Sequence, residues 1–98
     1  MTPAEIILDQ LGGNRFIVMT GANHLTQDRT SLRFALPARV AKNRIRHCII
    51  TLRPDDTYDM EFGTAMGLRY RMIATRSGVR CDQLQAIFES ETGLRTQL

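Results

Sequence analysis

Ile45-Arg46-His47-Cys48-Ile49-Ile50-Thr51-Leu52-Arg53, then Pro54-Asp55-Asp56-Thr57, then Tyr58-Asp59-Met60-Glu61-Phe62, is the stretch on which the fold turns. In its first part Cys48, Ile50 and Leu52 form an inward set at the period of two that a strand imposes. In its last part Tyr58, Met60 and Phe62 alternate with Asp59 and Glu61, so one face is apolar and the other charged. Proline followed by two aspartates is turn chemistry. Two strands joined by so short a turn, each with one face for a core and one for water, describe an antiparallel pair covered on one side.

The pattern extends in both directions. Ser31 to Leu36 alternates strictly, with Leu32, Phe34 and Leu36 inward and Arg33 toward water, and Pro37 ends the strand. Further upstream, Arg15-Phe16-Ile17-Val18-Met19-Thr20 is a continuous apolar run rich in β-branched residues, which predicts a strand covered on both faces, while polar His24 to Thr30 predicts a loop or hairpin tip. Downstream, Gly63 to Gly67 predicts a loop and Leu68 to Thr75 a fifth strand, so strands three to five form a meander.

Helices bracket this sheet. Thr2-Pro3-Ala4-Glu5 combines a capping threonine, a proline where its missing N–H costs nothing, and a glutamate that completes a capping box. The first helix runs from Pro3 to Leu11 and stops at Gly12-Gly13. After a turn at Ser77-Gly78, Leu84, Ile87 and Phe88 recur at helical spacing, giving a closing helix from about Arg80 to Thr92 with Gly93 as its C-terminal stop. The expected fold is therefore one α+β domain over residues 1–98: an N-terminal helix, a five-stranded mainly antiparallel sheet and a C-terminal helix, in the order α-β-β-β-β-β-α, with the helices on one face.

With 98 residues and 43% hydrophobic content, the chain has enough apolar material for one core without disulfide or metal support. No stretch reaches the roughly 20 apolar residues of a membrane span, and Met1 to Glu5 lacks the basic and apolar regions of a secretory signal. A cytoplasmic protein is expected. Cys48 and Cys81 belong to no CxxC or Cys/His cluster and are expected as two buried, reduced thiols. His24 and His47 have no third ligand at metal spacing, and Asp55-Asp56 after a proline is expected to form a turn. Phosphate-loop, dinucleotide, zincin and nucleophile-elbow motifs are missing. No catalytic residue, metal or cofactor is assigned, and the chain is expected not to be an enzyme.

The charge pattern is more informative. The net charge is +3 and the isoelectric point about 9.4, yet only Lys42 among the thirteen basic residues is not arginine. Arginine's planar fork suits phosphates and interfaces. On the meander, Glu61 is expected opposite Arg69, Asp59 opposite Arg71, and Arg53 beside Asp59, a charge ladder that balances those three arginines. Arg29, Arg33, Arg39, Lys42, Arg44, Arg46 and Arg53, by contrast, accumulate with no Asp or Glu among them. Arg29, Arg33, Arg39, Lys42, Arg44 and Arg46 are therefore the candidate nucleic-acid-binding residues, with Asn43 and His47 adding hydrogen bonds. Of the six aromatic residues, Phe34, Tyr58, Phe62 and Phe88 fall at inward positions, so a base-stacking platform would have to use Phe16 or Tyr70, and this scarcity weighs against a specialised single-strand reader.

Three stretches carry a resemblance: Ile7 through Ala22; Ile50-Thr51-Leu52 through Tyr58-Asp59-Met60-Glu61-Phe62-Gly63; and Ile87-Phe88-Glu89 to Thr92-Gly93-Leu94. Over most of its length the chain resembles small proteins encoded by phages and related mobile elements. The resemblance implies a genetic setting, a bacterial host cell, and carries no site residues. In that setting the chain is expected to be a binding module that contacts nucleic acid through its arginines. The alternative is a protein-protein inhibitor of a bacterial defence system, an anti-CRISPR or similar anti-defence protein, gripping a host protein complex. Homo-oligomers through the edge of the sheet, where the first or second strand lies unpaired, are a third expectation.

Overall fold

The structure, a computed structural model, describes residues 2–96. Helix α1 spans Pro3–Leu11, and its capping box forms as the sequence implies: Thr2 Oγ1 accepts from the Glu5 amide at 3.2 Å, and the Thr2 amide donates to Glu5 Oε1 at 3.3 Å. Ala4, Ile7 and Leu11 form its buried stripe.

The next element corrects the sequence reading. Asn14–Thr20 is a second helix, α2, and not a strand. Phe16 and Thr20, one turn apart, are buried, whereas Val18 between them is 80% exposed. That is one helical face, and the apolar run is not covered on two sides. The Thr20 hydroxyl donates to the Phe16 carbonyl at 2.8 Å, and Gly21, in left-handed conformation, closes the helix with its amide on the Ile17 carbonyl at 2.9 Å.

The first strand, β1, lies instead at Asn23–Gln27, inside the stretch read as a polar loop. It is an outer strand, exposed except for partly covered Leu25, and bulged between Asn23 and Thr26 where His24 takes φ 52°. Strands β2 (Ser31–Ala35), β3 (His47–Leu52), β4 (Tyr58–Met66) and β5 (Arg69–Val79) follow, and the sheet order is β1-β2-β3-β4-β5, every pair antiparallel. Five strands are present, though the first is built from different residues. Helix α3 covers Leu84–Thr92; the three residues Cys81–Gln83 expected to begin it form a tighter 3-10 turn.

The central register agrees with the inward sets. Leu32 lies opposite Ile50 and Phe34 opposite Cys48, while Cys48 pairs with Phe62 and Ile50 with Met60, and all six are buried. Phe16, Phe34 and Phe88 meet edge-on, with Phe16 centroids 5.2 and 5.1 Å from the other two, joining α2, β2 and α3 in one core. Gln85 Nε2 donates to the Leu11 carbonyl at 2.8 Å and Tyr58 Oη to Gln10 Oε1 at 3.0 Å, tying α3 and β4 to α1.

The β4–β5 hairpin is longer than expected, turning at Gly67-Leu68 instead of over Gly63 to Gly67, and this dissolves most of the charge ladder. Glu61 lies opposite Thr75, Arg69 opposite Met66 and Arg71 opposite Thr64. Only the Arg53–Asp59 pair forms, at 3.0 Å, exposed and of small energetic worth. Cys48 is buried, but Cys81 is exposed, against expectation. Among the described residues no helix is long and apolar enough to cross a membrane.

Candidate nucleic-acid interface

The segment joining β2 to β3 carries most of the uncompensated charge. Its ends are fastened: the Leu36 amide donates to the Arg46 carbonyl at 2.7 Å, and the Arg46 amide to the Gly63 carbonyl at 2.9 Å. Leu36, Ala41 and Ile45 sink into the core and anchor it from within. Between these anchors Arg39, Asn43 and Arg44 take φ of 68°, 60° and 61°. The left-handed region is tolerable for asparagine, but in arginine it costs about 1–2 kcal/mol per residue, and such cost is retained where side chains must be aimed.

The segment's cleft-lining side chains face the β4–β5 hairpin at Thr64, Ala65, Arg71, Met72 and Ile73. Arg39, Asn43, Arg44 and Arg46 line one wall of an open cleft of about 840 Å³, and Arg71 and Met72 line the other. Four guanidinium groups therefore border one concavity, and among the described residues no carboxylate lines it. The Arg46 Nε reaches back to the Leu36 carbonyl in a long contact of 3.5 Å. Such a cluster, drawn from two segments of chain, is suited to phosphate or another polyanion.

The six candidate residues thus separate. Arg39, Arg44 and Arg46 come together, and Arg71, expected to be balanced by Asp59, joins them. Lys42 does not line the cleft; its stem lies 3.6 Å from where a Gly93 Cβ would stand, beside the end of α3, where a cation is favoured by the helix dipole. Arg29 sits in the β1–β2 turn at the opposite end of the sheet, about 20 Å away along the strands. Arg33 lies on the outer sheet face, in a second, shallower depression of about 290 Å³.

That depression also takes in His24, Thr26, His47, Ile49 and Tyr70, and shares the lining residue Ala65 with the arginine cleft. Its shape depends on Gly63. A Cβ there would stand 2.5 Å from Tyr70 Cζ and 2.7 Å from the Arg71 carbonyl oxygen, so the Tyr70 ring lies where a side chain would be, an aromatic covering a strand glycine across a diagonal pair. Tyr70 Oη donates to Glu61 Oε2 at 2.8 Å. Burial and the bonded Glu61 carboxylate push the Tyr70 phenol well above its usual range. The His47 ring lies beside it, ring centroids 6.4 Å apart and planes 31° apart, with its Nε2 buried and without a hydrogen-bond partner. Burial, and secondarily the Arg46 charge, lower the His47 pKa below its ordinary value.

Among the described residues no three His, Cys, Asp or Glu side chains gather as a metal site requires. Burial pushes the Cys48 thiol far up, out of the range of a nucleophile. No family model, curated protein or solved structure matches the chain.

Proposed function

We propose that this chain is a non-enzymatic binding module of a phage or mobile element that holds nucleic-acid phosphates in the Arg39, Arg44, Arg46 and Arg71 cleft. The observation that carries the reading is the convergence of four arginines from two separate segments on a concavity lined, among the described residues, by no acid. Each guanidinium that meets a phosphate releases counterions, so binding weakens as salt rises. With four phosphate contacts on a single strand, the slope of log K against log salt is about −2.8, at roughly −0.7 per contact.

Fluorescence anisotropy with labelled DNA and RNA across a salt series tests it. Joint reversal of Arg39, Arg44, Arg46 and Arg71 to glutamate is expected to abolish binding, whereas Arg29→Glu, at the far end of the sheet, leaves most of it. Binding that survives the fourfold reversal overturns the reading.

One observation favours a second reading, inhibition of a bacterial defence complex by protein-protein contact. Leu68 is fully exposed and Met72 56% exposed on the hairpin that carries Arg71, and arginine with methionine and tyrosine is an interface composition. A stoichiometric partner recovered from bacterial lysate after nuclease treatment supports that alternative. β5 is an eleven-residue outer strand, and light scattering during size-exclusion chromatography tests whether a second copy pairs with it.

A further inference from the structure

Resting on the phosphate-binding reading, we infer that the ligand is single-stranded nucleic acid, whose phosphates occupy the arginine cleft while its bases cross the outer sheet face over Tyr70. Five of the six aromatic rings, Phe16 among them, are 4% exposed or less, and Tyr70 alone stands out at 46%. Among the phenylalanine and tyrosine rings, Tyr70 is therefore the one open to a base.

Its placement suits the task. The ring is fixed at one end by Glu61 and supported underneath by Gly63 and the face of β4, so little side-chain freedom remains to be lost when a base stacks on it. Beside the ring lies the second depression, with Arg33 on its margin and His47 in its wall. Tyr70 pairs with Ala65 and Arg71 with Thr64, so the two side chains point to opposite faces of the hairpin, and the depression and the cleft share Ala65; a strand with phosphates in the cleft passes over Ala65 to bring its next bases onto the outer face, which spans about 19 Å from β5 to β1 at the usual strand spacing.

A duplex cannot use this arrangement fully. Its bases are paired and stacked on one another, so it can meet the arginines but not lay a base face on Tyr70, whereas an unpaired strand does both.

Stacking has its own optical readout. The chain has two tyrosines and no tryptophan, and Tyr58 is buried, so ligand-induced quenching of tyrosine emission reports on Tyr70. The probes are oligothymidylate and oligouridylate of about twelve nucleotides, within the span of about 4–16 that such surfaces cover, together with a duplex and an abasic oligomer of equal length. Both single strands are expected to quench tyrosine emission and to bind more tightly than the duplex or the abasic chain, and the better of the two identifies DNA or RNA as the natural polymer.

Tyr70→Ala is expected to weaken single-strand binding by about 5- to 150-fold, the equivalent of one base–aromatic stack. Tyr70→Phe keeps the ring but drops the Glu61 bond, and is expected to bind within about twofold of the native chain without the tyrosine signal. Should Tyr70→Ala fail to fold, as judged by circular dichroism, Tyr70→Leu retains an apolar cover over Gly63 and makes the same comparison. A folded variant lacking the ring that binds as well as the native protein overturns the inference. So does equal affinity for single strand, duplex and abasic chain, which leaves the phosphate cleft standing. Failure of every polynucleotide to bind at low salt overturns both readings together.

Discussion

Gly63→Ala is a substitution of one methyl group whose cost follows from the geometry. The new carbon meets two obstacles of different kinds. The Tyr70 ring, 2.5 Å away at Cζ, can swing aside by surrendering its hydrogen bond to Glu61. The Arg71 carbonyl oxygen, 2.7 Å away, belongs to the β5 backbone and must withdraw to at least 3.4 Å for ordinary contact. That movement pulls on the β4–β5 pairing and on the Arg46 amide that donates to the Gly63 carbonyl at 2.9 Å. Overpacking of this kind costs about 1–3 kcal/mol. For a domain of this length each kcal/mol lowers the melting temperature by about 4–8 °C, so a cost near 2 kcal/mol gives a fall of about 8–16 °C. Thermal unfolding followed by far-ultraviolet circular dichroism measures it. In a Tyr70→Ala background the methyl group meets only the carbonyl, so the penalty shrinks but persists. A Gly63→Ala protein that melts within about 2 °C of the native one would refute the close approach of β4 and β5 on which the Tyr70 platform depends.

Thiol labelling of the native protein is expected to modify Cys81 alone, with Cys48 reacting only after denaturation; two fast native thiols would contradict the burial of Cys48. Because burial, then Arg46, lowers the folded His47 pKa, the unfolded chain binds the proton first as pH falls through 6.5, so stability is complete above that pH and declines below it. His47→Gln is expected to flatten denaturant midpoints between about pH 5 and 7 relative to the native protein, and an unchanged slope would show that His47 does not contribute. Arg44→Gly releases a left-handed arginine but adds glycine entropy of about 0.5–1 kcal/mol, so its melting temperature is expected at or slightly above native. The same substitution should reduce the salt slope of binding by about 0.7, and an unchanged slope would remove Arg44 from the interface.

The sheet centre was legible because Leu32, Phe34, Cys48, Ile50, Met60 and Phe62 repeat at period two, and only one register buries all of them. The outer strands carry no such signal. β1 buries little, so its polar residues read as a loop, while α2 is short, and its run of five residues from Arg15 to Met19 mixes both periods until Thr20 and Gly21 are recognised as a helix end. The arginine cleft was legible in part. The run of uncompensated charge in the sequence marks Arg39, Arg44 and Arg46, but Arg71 arrives from a hairpin whose length the sequence conceals, because Gly63 has the look of a turn residue and is a strand residue that makes room for Tyr70. Nor does the run show that Lys42 turns toward α3 or that Arg29 lies at the other end of the sheet.

Every strand of this sheet pairs with its neighbour in sequence, whereas the bond from Gln85 to Leu11 joins residues 74 positions apart. Hairpins close short loops at small entropic expense, and the α1–α3 contact closes a long one. The meander can form in successive local steps, whereas α3 closes the long loop when it docks and seals Phe16, Phe34 and Phe62 against water. A chain truncated before Leu84 would leave that aromatic face bare, a sticky half-product, so the time between forming the last hairpin and docking α3 is the interval in which the protein is most exposed to aggregation.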